Sequence, residues 1–183
     1  MPKIIAKKQD WLILGYKLFS EKGISGIVVE KMAKKLKVNK SSFYWHFKTK
    51  MKFMELLVRF WIHNETKQII DVTNSKKNGS EKVRTLIALI YRQSPFLDFI
   101  FYLKSYAKQE KEIQKIIDNV EQKRLEYSIE LLQEIGYSKS DAEIKSRLLY
   151  KHFLGYHEVI RYKKQSPDYL EEIKLELNQI IEY

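Results

Sequence analysis

Residues 31–50 read KMAKKLKVNKSSFYWHFKTK, and this stretch decides the fold. Val29, Met32, Ala33 and Leu36 recur at i, i+3, i+4 and i+7, the spacing of one buried helix face, with Lys31, Lys34 and Lys35 on the other faces. A turn at Lys37-Val38 follows, and Asn39 is suited to cap a second, short helix. On that helix Phe43 and Phe47, one turn apart, point inward. Lys40, Ser41, Ser42, Tyr44, Trp45 and His46 point outward, and an outward Tyr-Trp-His suits a face meant for a nucleic-acid groove. The pattern is that of a helix-turn-helix.

Charge supports the same conclusion. Residues 1–50 hold twelve lysines against three acids, a local net of +9, while the whole 183-residue chain carries +11. Nearly all the excess therefore sits beside the helix-turn-helix, where cations displace the counterions condensed on phosphates. Hydrophobic content of 44% supplies a globular core, and the absence of cysteine argues against disulfides and thiolate metal sites. The apolar run Trp11–Tyr16 is too short to span a bilayer and no small-residue cleavage site follows it, so the expectation is a soluble, cytoplasmic protein with no membrane partner.

Glycine and proline are scarce, and no period-2 strand is bounded by turn residues, so the chain is predicted to be all-α, with about nine helices. A first helix is expected over 4–22, burying Leu12, Gly15, Tyr16 and Phe19 and ending at Gly23. Thr49 would cap a long helix running through Trp61 toward Asn74; residues 74–80 read as a loop, a helix follows to Gln93, and Ser94-Pro95 opens an apolar helix to Ala107. Ile113 to Ile135 marks another helix, closed by Gly136. Ser140 and Glu143 make a capping box for the next. That helix has two apolar stripes: Leu148, Gly155 and Val159 on one side, Leu149, Phe153, Tyr156 and Ile160 on the other. Ser166-Pro167 opens the last helix, whose Leu170, Ile173, Leu177 and Ile180 follow the 3,4 spacing of a helix-pairing seam.

Catalysis finds little support. His152 and His157 diverge around their helix, and no phosphate-cradling glycine loop, H-E-x-x-H motif or nucleophile elbow is present; no enzyme activity, cofactor or metal is expected.

Residues from about 7 to 67 resemble the DNA-binding headpiece of the tetracycline-repressor (TetR) family. The features that carry the resemblance are Leu18-Phe19 ahead of Glu21-Lys22-Gly23, the pair Met32-Ala33, Val38, and Phe43-Tyr44-Trp45-His46-Phe47 followed by Lys50. The resemblance implies an all-α homodimer: a three-helix headpiece, here 1–50, and a helical effector-binding and dimerisation domain, here 51–183. It implies a sequence-specific transcriptional regulator, with repression the commoner outcome, that binds an inverted-repeat operator in double-stranded DNA and is released by a small, largely apolar effector. Carried over residue by residue, Tyr44, His46 and Lys50 match DNA or phosphate contacts, and Lys40, Ser41, Ser42 and Trp45 match positions that reach base edges or backbone; Lys48 joins this set.

An aromatic effector pocket would draw on Trp61, Tyr91, Phe96, Phe99, Tyr102, Tyr106 and Tyr127, with Asp98 as the polar oddity of its helix. The dimer interface would draw on Leu148, Gly155, Val159, Leu170, Ile173, Leu177 and Ile180. The chain departs from the family pattern at Ile27-Val28, where a capping hydroxyl is expected, and at Lys37, where glycine is common; Gly15, where alanine is common, is expected only to weaken its helix. A sequence-tolerant, basic DNA-coating protein without an effector is the competing possibility.

Overall fold

The computed structural model describes residues 6–93, 98–161 and 163–183, and all regular structure among them is helical. In order these are α1 (Lys8–Lys22), a 3-10 turn (Gly23–Gly26), α2 (Val29–Lys35), α3 (Ser41–Phe47), α4 (Lys50–Ile62), a π turn (His63–Lys67), α5 (Gln68–Asn74), α6 (Gly79–Ile90), α7 (Asp98–Ala107), α8 (Lys111–Glu134), α9 (Lys139–Ile160) and α10 (Tyr169–Leu177). α4, the π turn and α5 are one unbroken run, so the described residues form nine helical runs. The Ser94-Pro95 start and Phe96 lie outside the described residues.

The chain divides into two compact units, residues 1–63 with 96–117 and residues 64–95 with 118–183. None of the three boundaries falls at residue 50: α4 belongs with the headpiece, and so does α7.

In the first unit Trp11, Phe19, Met32, Phe43, Phe47, Phe53 and Phe99 are completely buried. Trp11, rather than Leu12, is the inward residue of its turn, because its ring meets Phe43 edge-on at 5.3 Å. Phe43, Phe47 and Phe53 form a close triad with centroids 4.9 to 5.1 Å apart, locking α3 to α4. Gly15 does more than weaken α1: a Cβ there would collide with the Phe53 ring, so its absence allows α1 and α4 to approach. On the other side of α1, Phe99 of α7 packs against Tyr16 and Phe19 at 4.7 and 4.9 Å.

The second unit has its own core of Val83, Ile87 and Tyr91, Leu131 and Leu132, Ala142, and Ile173, Leu177 and Ile181. Leu149, Phe153 and Tyr156 of α9 pack against it, so this stripe faces its own protomer. Ile173 and Leu177 are completely buried there. They are therefore core residues and are not available to a dimer seam, a correction to the reading of their 3,4 spacing. The cap of α9 also differs from the expected one: Ser138, not Ser140, accepts a hydrogen bond from the Asp141 N–H at 3.1 Å. Thr49 caps α4 by accepting from the Lys52 N–H at 3.0 Å, as expected. α10 ends at Leu177, so Ile180 lies beyond it.

Candidate nucleic-acid interface

α2 and α3 are short, seven residues each, and stand because their inner faces are buried: Val29, Met32 and Ala33 on α2, Phe43 and Phe47 on α3. The turn between them closes with the Val38 N–H donating to the Ala33 carbonyl at 3.0 Å, which holds Lys37 at φ +55°. That is the left-handed region where glycine would sit without strain. Asn39 caps α3, its Oδ1 accepting from the Ser41 N–H at 2.9 Å. α2 has no such help, since Val28 stands at its N-cap and offers no acceptor.

With Phe43 and Phe47 turned inward, the rest of α3 is presented to solvent. Trp45 is 70% exposed and Tyr44 46%, an unusual outlay of aromatic surface on so short a helix. Lys40, Ser41, Lys48 and Lys50 are exposed and Ser42 is half-buried. Lys40 lies 3.6 Å from Glu30 of α2, an exposed pair that leaves it free to turn to another anion. His46 is different. Its Nε2–H donates to the Ala6 carbonyl at 2.9 Å, tying α3 to the approach to α1. Its sequence neighbours gave no sign of this anchor, which lies 40 residues away.

Lys48 stands at φ 62°, ψ −50° between α3 and α4, so of the two lysines that flank Thr49 one occupies a strained turn and the other follows directly on it. Lys50 opens α4, whose first N–H groups and dipole also favour an anion.

The residues considered for an effector pocket separate. Trp61, Phe99, Tyr102 and Tyr106 belong to the first unit, where Trp61 stacks on Phe99 at 5.8 Å and Tyr102 lies against Gly23. Asp98 is explained by its place in the first turn of α7, where a carboxylate complements the helix dipole. Tyr91 and Tyr127 belong to the second unit. Tyr91 is buried, with its hydroxyl 2.8 Å from Nδ1 of His152, whose Nε2 is 2.9 Å from Glu176. Tyr127 donates to Asn74 Oδ1 at 2.8 Å, and burial raises its pKa to about 12. Of the residues considered for a dimer seam, Leu148, Val159 and Leu170 are exposed large apolar side chains, Ile144 one turn before Leu148 adds a fourth, and Gly155 has open space at its Cβ position.

Among the described residues no three His, Cys, Asp or Glu side chains gather as a metal site, and no helix is long and apolar enough to cross a membrane.

Residues 14–57 match the family model for bacterial regulatory proteins of the tetR family, a segment that spans α1 beyond its first turns, the helix-turn-helix and the start of α4. No curated protein matches the chain in sequence. Solved structures match its fold over nearly its whole length. A transcriptional regulator from Rhodococcus sp. Rha1 superposes with a TM-score of 0.78 at 15% identity, covering 96% of each chain. A TetR-family transcriptional regulator from Streptomyces coelicolor gives 0.75 at 16% identity, over 96% of this chain and 90% of that one. A regulator from Saccharomonospora viridis, in complex with choline, gives 0.79 at 14% identity, over 96% and 95%. The buried Phe43 and Phe47 and the exposed basic and aromatic face in front of them thus lie in a segment that matches the tetR family model, and the all-α fold of the chain is shared with solved transcriptional regulators.

Proposed function

We propose that the protein is a repressor that acts in the cytoplasm as a homodimer on an inverted-repeat operator, each protomer placing α3 in a major groove. The observation that carries this reading is the exposed Tyr44-Trp45 pair on α3, flanked by Lys40, Lys48 and Lys50 and backed by the Phe43–Phe47–Phe53 triad. Lys50, Lys48 and Tyr44 hold phosphates; Lys40, Ser41, Ser42 and Trp45 reach base edges. His46 supports the face through Ala6. Dimerisation uses the free stripe of α9, with Ile144, Leu148 and Val159 around Gly155, together with Leu170.

A small, largely apolar effector binds the helical body and lowers operator affinity. Tyr91 and Tyr127, both in the unit of residues 64–95 and 118–183, are the aromatics we assign to it. The choline-bound regulator from Saccharomonospora viridis supports this by showing that a protein of this fold holds a small molecule. To release DNA the effector must favour the non-binding conformation, and operator DNA must weaken effector binding by the same factor.

The test is selection of random duplexes by the purified protein, followed by sequencing. The expected result is a dyad with half-sites about 34 Å apart or a multiple of that. Lys50→Ala should weaken all sequences alike, whereas changing Lys40 or Ser42 should alter the preferred sequence. Fragments retained without any dyad would overturn the operator reading and favour a DNA-coating role.

A further inference from the structure

Between α4 and α5 the helix widens. His63–Lys67 is a π turn, in which each carbonyl reaches five residues ahead instead of four. Such a turn contains one residue more than the α-helix would need and tips carbonyls away from the ladder, so it persists where another group takes them up. Here that group is Arg124 of α8. Its Nη2 donates to the Glu65 carbonyl at 3.2 Å and to Thr66 Oγ1 at 2.7 Å, and its Nε donates to the same Oγ1 at 3.0 Å. Thr66 is buried, so the hydroxyl that receives this fork is shielded from water. Burial lowers the pKa of Arg124, and Tyr150, Glu65 and Glu121 around it oppose that shift. A half-buried guanidinium is costly to place unless it is well paired; besides its hydrogen bond with Tyr150, Arg124 directs these three bonds into the π turn.

We propose that Arg124 is a positioning residue that holds a register switch in the α4–α5 helix. With Arg124 seated, residues 63–67 keep the π turn; with it withdrawn they close to an α turn. The chain after the turn is then displaced relative to the chain before it by one residue step, about 100° of rotation and about 1.5 Å of rise. The two registers are discrete, because no intermediate satisfies either ladder, and discreteness is what a switch requires. α4 begins at Lys50 on the DNA-binding side, so a change of register in this helix reaches the DNA-binding segment through continuous chain.

The extra residue supplies the test. Deleting His63, which is exposed, removes that residue while leaving the helical phase on both sides as it is in the π form. DNA affinity would be measured for wild type, Arg124→Met, the His63 deletion, and the two combined, using the duplex that the wild-type protein selects; this readout rests on the regulatory function proposed above. Arg124→Met alone should lose affinity on the order of tenfold. The deletion alone should bind as wild type does, and the combined variant should recover wild-type affinity, since a helix without the extra residue no longer needs Arg124 to keep its phase.

Should Arg124→Met fail to fold, Arg124→Lys replaces the two-pronged donor with a point charge and takes its place in the same series. A folded Arg124→Met protein that binds normally, or a folded combined variant that is not rescued, would overturn the switch. If wild type selects no duplex, the regulatory reading has failed while the switch is still decided by a crystal structure of the Arg124 variant. Residues 63–67 closed to α support it, and a retained π turn overturns it.

Discussion

The Thr49 N–H donates to the Phe47 carbonyl at 2.7 Å, closing a three-residue γ-turn over Lys48. Its φ of 62° and ψ of −50° belong to the rare, strained form of that turn. The strain is held by the residues on either side: Phe47 is buried and Thr49 is committed to capping α4. Lys48→Gly should therefore stabilise the protein by about 1 kcal/mol, the conformational strain being relieved. Lys48→Ala should not, because alanine keeps the Cβ. If Lys48 meets a phosphate, both variants should flatten the dependence of log affinity on log salt by about 0.9. Thermal unfolding and a salt series on the two proteins separate backbone strain from charge; equal stability of the two would show that Lys48 is unstrained.

Val28 stands at the N-cap of α2 at φ −113°, ψ 109°, an extended conformation that a threonine adopts readily, and it has no side-chain oxygen to offer. Val28→Thr should add about 1 kcal/mol of stability by satisfying an N–H of the first turn. Measured by denaturant unfolding, an unchanged midpoint would mean that water already serves that N–H as well as a hydroxyl would.

The headpiece was legible because its signals are local. The spacing of Phe43 and Phe47, the capping residues Asn39 and Thr49, and the missing hydroxyl at Val28 all act within one or two turns. Ambiguity entered where two local patterns were equally good. Ser138-x-x-Asp141 and Ser140-x-x-Glu143 are both caps in sequence, and only the start of α9 at Lys139 selects the first. Trp11 and Leu12 both fit a helical stripe, and the Phe43 ring selects Trp11. The π turn was illegible because the group that holds it lies 58 residues further along the chain. The His46 anchor was missed for the same reason.

Periodicity failed in a different way at α10. A 3,4 apolar spacing says that a stripe is buried but not by which chain, and Ile173 and Leu177 turn out to be buried by their own. A charge there forfeits roughly 1.5 to 3 kcal/mol of apolar burial and adds an unpaired buried carboxylate, so Ile173→Glu should unfold its unit. Val159, at 62% exposure, tests the dimer instead. Val159→Glu should leave circular dichroism and the thermal midpoint of the monomer intact while abolishing dimerisation in sedimentation. A Val159→Glu protein that remains dimeric at low micromolar concentration would place the interface away from this stripe of α9.

His157 makes stability depend on pH. The ring is 5% exposed, its Nε2–H donates to the Ile90 carbonyl at 2.7 Å, and Nδ1 is buried with no hydrogen-bond partner among the described residues. Burial pushes its pKa below the ordinary 6.5, and the bond to Ile90, which favours the protonated ring, offsets only part of this. In the unfolded chain the same ring titrates near its ordinary value. Between the two pKa values the unfolded state binds more protons than the folded state, so stability rises with pH across that window. The contribution of the neutral ring is complete above pH 6.5 and is lost as pH falls through the depressed folded value, by at most about 1.4 kcal/mol per pH unit. His157→Gln retains an N–H for Ile90 and removes the titration. Denaturant midpoints at several values between pH 7.5 and 5 should therefore fall more steeply for wild type than for His157→Gln. His46, His63 and His152 are common to both proteins and cancel in the difference. Parallel curves would show that the acid-sensitive group is not His157.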